Sequence, residues 1–476
     1  MGTSRVVIVG GGISGLAAAW HLRQGDPDLE LVVLDGSDAP GGKLRRAQLA
    51  GVVIDVGAES ILARRPEGTD LARAIGLADR LTHPTTASAA IWSRGALHPM
   101  PAGTLMGVPS NPAAALGVLD ADEIAWAEGE RDRPLEATVE DLSVGEFVSG
   151  RVGSAVVDRL VEPLLGGVYA GHADQLSLRA TVPQLWQAAT AGESVTAAAE
   201  RAFTRASLDH MPVFAGLIGG VGTLTEELVR SLRAQGVGVM SRTVVRELRR
   251  TSVEGRRGWA LTTGPVPAPV ELEADAVVIA VPAAPAARLL APHAPYAASE
   301  LAAITYASMA IVSIALPRHG LPQLSGSGFL VPPVEDRAVK ASTFSTNKWR
   351  WVADAAPDLF ILRASLGRVG EEAVLQRSDE DLKRLVLGDL ADALGGQLPI
   401  PVESHVQRWG GALPQYAVGH VDRVARIRAA VAQVPALALA GAAYEGVGIP
   451  ACIASGRAAA DAVLTHLRSG QGLGSG

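Results

Sequence analysis

Cysteine is nearly absent from this chain of 476 residues. The single Cys452 permits no intramolecular disulfide and no cysteine-built zinc or iron–sulfur site, so redox chemistry here needs an organic cofactor and a reducing compartment is the expected setting. Aromatic residues are also scarce, at 4%, which argues against a site walled by aromatic rings. Charged residues reach 19%, below the roughly 25% of an average domain, and the net charge of -7 supplies no global attraction for nucleic acid or an anionic bilayer. No apolar run approaches the roughly 18 residues of a membrane-spanning helix, and residues 1–5 lead into a strand with no basic segment and apolar stretch of a secretion signal. A cytoplasmic protein is expected, with a peripheral membrane contact left open. What is abundant is apolar side chain, 48% of the total, enough to bury the cores of two or three domains.

Residues 5–10 (RVVIVG) form a continuous β-branched run ending in glycine, residues 13–22 carry apolar side chains at helical spacing, and residues 29–35 form a second apolar run. Such a βαβ unit places a parallel sheet at the start of the chain. Residues 216–236 predict a glycine turn and a helix, followed by strands at 237–240, 243–249, 259–263 and 272–281. Residues 310–316 and 359–366 predict further strands, residues 378–394 a charged helix, residues 436–440 a last strand and 450–467 a last helix. Between them lies an Ala/Leu-rich helical region with a charged stretch, 120–140, that reads as a solvated face. The fold class expected is α/β, with a discontinuous Rossmann-like nucleotide domain (1–62, 212–288, 405–468), an α+β substrate domain (63–84, 289–404), a mainly helical insertion (85–211) and a flexible tail (469–476).

The chemistry concentrates in glycines. Gly10, Gly11, Gly12, Ile13, Ser14 and Gly15 satisfy G-x-G-x-x-G between strand and helix. Gly10 suits a tight turn, Gly12 lets backbone approach a pyrophosphate, and Gly15 lets helix and strand pack closely, with the helix N-terminus facing the phosphates. Asp35 closes the second strand, where a carboxylate can accept from a ribose diol. Gly36, the pair Gly41–Gly42 with Lys43, and the run 55–60 (DVGAES) add contacts that a simple dehydrogenase does not need and FAD does. Residues 436–463 supply another strand, glycine turn and helix, with Pro450 in the first turn, where proline is favoured. Aimed at the flavin, that helix N-terminus would stabilise negative charge on the reduced ring.

These motifs together resemble the flavin monoamine-oxidase superfamily. Residues 162–171 (EPLLGGVYAG), 328–332 (GFLVP), 413–416 (LPQY) with Gly419–His420, and 446–450 (GVGIP) narrow the resemblance to the protoporphyrinogen and coproporphyrinogen oxidases of haem synthesis, over residues 5–467. The resemblance implies a non-covalent FAD held by residues 10–15, Asp35, Gly36, Gly42, Lys43, Gly57, Ala58, Glu59 and Ser60, with the backbone of Val245, in a strand at 243–248, at the adenine and Trp409, Val447, Gly448 and Ile449 against the flavin. Asp35 departs from the usual Glu. Cys452 is not placed to attach flavin covalently and reads as a packed hydrophobe.

The implied reaction removes six hydrogens from a porphyrinogen in three hydride transfers to flavin N5, with oxygen as acceptor and hydrogen peroxide as by-product. No side-chain base is assigned, no metal is expected, and His420 reads as structural. The implied substrate is coproporphyrinogen III, with protoporphyrinogen IX as the alternative within the family. Substrate contacts fall to Arg64, Arg65 and Lys348 as cations for propionates, and to Gly167 and Tyr169 for the cavity floor. Two rival readings are a flavin amine oxidase and a non-catalytic escort protein that keeps the fold while binding a lipidated or hydrophobic partner.

Overall fold

The computed structural model describes residues 3–208, 212–253 and 256–472. Its centre is a five-stranded parallel sheet in the order Gly238–Met240, Glu30–Leu34, Arg5–Val9, Ala276–Ile279, Leu437–Leu439. Strands from three widely separated stretches of chain therefore share one sheet. Val6, Val7, Ile8 and residues 276–279 have no exposed surface, as expected of β-branched runs covered on both faces. The first and last long helices, Ile13–Gly25 and Ile449–Gly472, pack on this sheet and on each other. Their contact is close because Gly456 lacks a side chain: a Cβ there would lie 2.2 Å from the Ser14 carbonyl oxygen.

A second sheet, largely antiparallel, runs Glu403–Pro414, Tyr306–Pro317, Leu359–Leu366, Val339–Thr343, Gly328–Leu330, Ala90–Ser93, Ala96–Pro99. Period-two alternation sorts its side chains. Val312, Ile314, Leu316, Phe360 and Leu362 face the helix Asp379–Leu394, whose Leu382, Val386 and Leu390 complete that core. Ser378 starts this helix by accepting from Asp381 N, and Gly395, at φ 79°, ends it. Met309, Ile311, Arg363 and Ser365 point to the opposite face, toward the parallel sheet.

Helices dominate residues 121–208, around a separate core that includes Phe147, Leu160, Leu165 and Leu185. Four expectations change. The hairpin 90–99, expected within the helical insertion, joins the second sheet by parallel pairing of Ala90 and Ile91 with Phe329 and Leu330. The single strand expected over 272–281 is two: Val270–Ala274 pairs antiparallel with Arg256–Thr263, and the chain switches at Asp275, whose carboxylate accepts Arg5 N, into the parallel sheet. The charged stretch 120–140 is not wholly solvated, because Glu130 is fully buried and accepts from Ser194 Oγ, Val195 N and both the backbone and hydroxyl of Thr196 at the start of the helix Val195–Leu208. Of the expected tail, residues 469–472 extend the last helix, and 473–476, like 209–211 at the end of the expected insertion, lie outside the described residues.

Candidate functional site

Three parallel strands end at one place. The turn after Arg5–Val9 brings Gly12, Ile13 and Ser14; the turn after Ala276–Ile279 brings Ala280, Val281 and Pro282; the turn after Leu437–Leu439 brings Gly441, Ala442 and Ala443. Ligands of open α/β sheets bind outside the carboxyl ends of the strands. Here a cavity of about 590 Å³ occupies that position, closed on its other side by the second sheet. Val447, Ile449 and Cys452, in the turn and first turn of the last helix, also line it, so both ends of the chain reach one cavity.

The glycines of the first turn differ in what each permits. Gly10 has φ 112°, and a Cβ there would lie 2.5 Å from the Ala280 carbonyl oxygen; a Cβ on Gly15 would lie 1.9 Å from the Gly10 carbonyl oxygen. Gly12 is extended at φ -71°, ψ 175°, and its Cβ would meet no protein atom within 4 Å. Gly42 stands opposite it, its Cβ position 3.2 Å from Gly12 Cα. Asp35 is buried, one carboxylate oxygen accepting Gly11 N at 2.6 Å and the other accepting Ser37 N at 2.8 Å and the Ser37 hydroxyl. It ties the glycine turn to the end of the second strand. Val245 is buried but precedes the strand Glu247–Val253 rather than lying in it; just before it, Arg242 N and Thr243 N donate to Ser37 O and Asp35 O, and it is Val244 whose side chain stands against Gly36.

A second group of residues braces the wall. Trp409 lines the cavity and donates from Nε1 to Val56 O at 2.9 Å, and Ala58 N donates to Lys43 O at 3.0 Å beside Gly57, where a Cβ would strike that same carbonyl. Glu59 sits behind the wall, accepting from Ser345 Oγ and Trp349 Nε1 and facing Lys348 Nζ at 3.5 Å and Arg363 Nη1 at 3.3 Å. Burial works to raise the Glu59 carboxyl, but the two cations and two donors hold it below the usual range. Lys348 also donates to Ser60 Oγ at 2.8 Å. Asp55 does not enter the cavity: it accepts Val221 N and Gly222 N at the start of the helix Gly222–Ala234, and burial raises its carboxyl to about 7.

Lys43, Lys340, Lys348 and Arg363 all line the cavity. No carboxylate lines it among the described residues. Arg363 donates from Nη2 to Gly57 O at 2.6 Å, while its buried Nε and Nη1 make no hydrogen bond among the described residues. Burial depresses Lys43, and burial together with nearby Arg368 depresses Lys340 to about 7.

Among the residues expected at the substrate, Lys348 and Gly167 line the cavity. Tyr169 does not: its ring is buried in the helical core 5.6 Å from Tyr416, where burial pushes its hydroxyl up to about 12. Arg64 and Arg65 do not either. Arg64 is exposed, and Arg65 pairs with Glu67 at the start of the helix Glu67–Ala74. Cations next to a glycine motif in sequence need not face its ligand. Lys340 and Arg363 escaped the sequence reading, although each is a lone cation in an otherwise apolar or small-residue strand, which is the pattern of a charge pointed inward. His420 is structural: buried, stacked on Tyr416 at 3.9 Å, bonded to Tyr444 O and lowered to about 4 by burial. Cys452 is buried, its thiol raised by burial.

Comparison with known proteins agrees with this geometry. The flavin containing amine oxidoreductase family matches residues 13–464. The coproporphyrinogen III oxidase of Mycobacterium tuberculosis H37Rv is 40% identical over 458 residues, covering 95% of each chain. That of Bacillus subtilis strain 168 is 34% identical over 489 residues, covering 98% of this chain and 99% of the relative. A solved structure from Exiguobacterium sp. 255-15, described as a candidate protoporphyrinogen oxidase, superposes with a TM-score of 0.85 at 34% identity, covering 98% of this chain and 99% of that one. With a match over nearly its whole length, this chain belongs to the flavin containing amine oxidoreductase family, and its cofactor is FAD.

Proposed function

We propose that this chain oxidises coproporphyrinogen III to coproporphyrin III, with oxygen as the terminal acceptor, in the cytoplasm. The observation that carries the reading is the charge of the cavity wall: four cationic side chains and, among the described residues, no acid. A tetrapyrrole edged with propionates is attracted to such a wall. An ammonium substrate is repelled by it, which disfavours the amine oxidase reading despite the family's name. Relatives at 40% and 34% identity that carry the coproporphyrinogen III oxidase name support the same substrate.

The residues present fit FAD. The space beside Gly12 and Gly42 is free of side chains, the helix N-terminus at Ile13 faces it, and Lys43 is a half-buried cation without a carboxylate partner among the described residues. In this reading residues 10–15 and Gly42 hold the diphosphate with Lys43. Asp35, Gly36 and Val245 hold the adenosine, and Gly57, Ala58, Trp409, Val447, Gly448 and Ile449 hold the ribityl chain and ring. Glu59 and Ser60 act at one remove, by fixing Arg363 and Lys348. FAD supplies the hydride acceptor. The protein's part is to exclude water, orient the macrocycle and neutralise its carboxylates. The three segments that build the parallel sheet form the flavin-holding unit together with Trp409 from the edge strand Glu403–Pro414 of the second sheet, and the rest of that sheet with its helix forms the substrate unit.

Protoporphyrinogen IX is the second reading, favoured by the description of the Exiguobacterium structure. The test is oxidation of each porphyrinogen by purified holoenzyme, followed by porphyrin fluorescence and peroxide release, with primary amines in parallel. The proposal expects coproporphyrinogen III to be the best substrate and amines to give no peroxide. Peroxide from amines with no porphyrin formed from either porphyrinogen overturns it.

A further inference from the structure

We propose that Lys340 is an anchor for a carboxylate of the substrate, an inference that rests on the porphyrinogen reading and names one of its recognition groups. Three observations meet at this residue. First, the pairing of Val339–Thr343 with Leu359–Leu366 slips between Val339, opposite Leu366, and Ala341, opposite Ser365, so Lys340 is the extra residue of a β-bulge. Bulges re-aim a side chain, and they are over-represented beside active sites. Lys340 lines the cavity on the same side as Arg363 and Ser365 of the neighbouring strand.

Second, the ammonium is almost completely buried and poorly compensated. Lys340 is 3% exposed; its Nζ donates to Gly367 O at 2.9 Å and forms no ion pair with a carboxylate among the described residues. The charges that act on it are those of Arg368, which is itself paired with Glu371 at 3.3 Å and donates to Val331 O, and of Glu371, whose effect is the smaller. An ammonium has three donors, so two remain for a ligand. Third, burial and Arg368 together make the charged form costly, and the attraction of a carboxylate placed against Nζ offsets that cost. Lys348 and Arg363 differ: both face Glu59 from behind, which shares one negative charge between them. Lys340 is thus the wall cation with most to gain from an anionic substrate, and it suits a carboxylate-bearing ligand over a neutral one of the same shape.

The experiment measures binding to FAD-loaded protein, by porphyrin fluorescence, of two probes: coproporphyrin III and its neutral tetraamide. Lys340→Met should weaken coproporphyrin III by about 30-fold or more, the scale for losing one partner of a buried charge pair, while tetraamide binding stays within about twofold of wild type on the same argument. Lys340→Arg, which keeps the charge, should recover most of the loss. Unchanged coproporphyrin affinity in Lys340→Met, or equal weakening of both probes, overturns the anchor while leaving the porphyrinogen reading standing. Wild-type protein that binds neither probe overturns both.

Discussion

Replacing Gly12 by valine separates a glycine kept for a ligand from one kept for packing. The backbone at Gly12 is extended, φ -71°, which valine accepts without strain, and its Cβ would meet no protein atom within 4 Å. The apoprotein therefore has no reason to unfold. The new methyl groups stand where the diphosphate must approach the helix N-terminus. Displacing it by about 1 Å stretches hydrogen bonds of about 2.9 Å beyond bonding range. Losing two such bonds to a charged group, at about 1.5–3 kcal/mol each, costs about 3–6 kcal/mol, or roughly 10²- to 10⁴-fold in FAD affinity. Gly12→Val should emerge colourless, bind added FAD at least about a hundredfold more weakly, and melt with wild-type apoprotein. Gly15→Val is the contrast, because its Cβ would lie 1.9 Å from the Gly10 carbonyl oxygen, and it should unfold or fail to accumulate. A yellow Gly12→Val protein with stoichiometric FAD refutes the diphosphate assignment.

Three further outcomes follow from named contacts. Arg65→Ala should leave KM for the porphyrinogen within about twofold, since Arg65 is spent on Glu67 outside the cavity and exposed pairs contribute little; steady-state kinetics decide it. Glu59→Gln strands Lys348 and Arg363 and should cost about 3–5 kcal/mol, seen in denaturant unfolding of the apoprotein. Because the Glu59 carboxyl is held low in the fold, the stability it contributes is complete above its unfolded pKa of about 4.3 and is lost as pH falls through the lower folded value, so wild type and variant should converge in acid. Glu130→Ala leaves the start of Val195–Leu208 without its buried acceptor and should lower stability by about 2–4 kcal/mol, while FAD affinity measured by titration stays at the wild-type value.

The parallel sheet was legible because a strand covered on both faces is a continuous apolar run, and residues 5–9, 30–34 and 437–439 are such runs. The glycine turn was legible because its constraints are local: Gly10 needs its φ of 112° and Gly15 its missing Cβ whatever lies around them. What was not legible depends on distant partners. Arg363 becomes a wall residue through Glu59 and Gly57, some three hundred positions away in sequence. Lys340 stands out locally as a lone cation, but that it faces the cavity follows from a bulge set by its register against the strand Leu359–Leu366. Glu130 looks solvated in a charged stretch and is buried only because Ser194, Val195 and Thr196 fold onto it. Arg64 and Arg65 misled for the converse reason, since nearness along the chain stood in for nearness in space.

The most direct test of the central claim, that one cavity brings FAD and a polyanionic porphyrinogen together, is anaerobic mixing of the holoenzyme with coproporphyrinogen III in a stopped-flow spectrometer while the flavin absorbance near 450 nm is followed. Coproporphyrinogen III should bleach the flavin rapidly, with matching porphyrin formation and recovery of the absorbance when oxygen is admitted. Flavin that stays oxidised with both porphyrinogens, or that bleaches only with an amine, contradicts it.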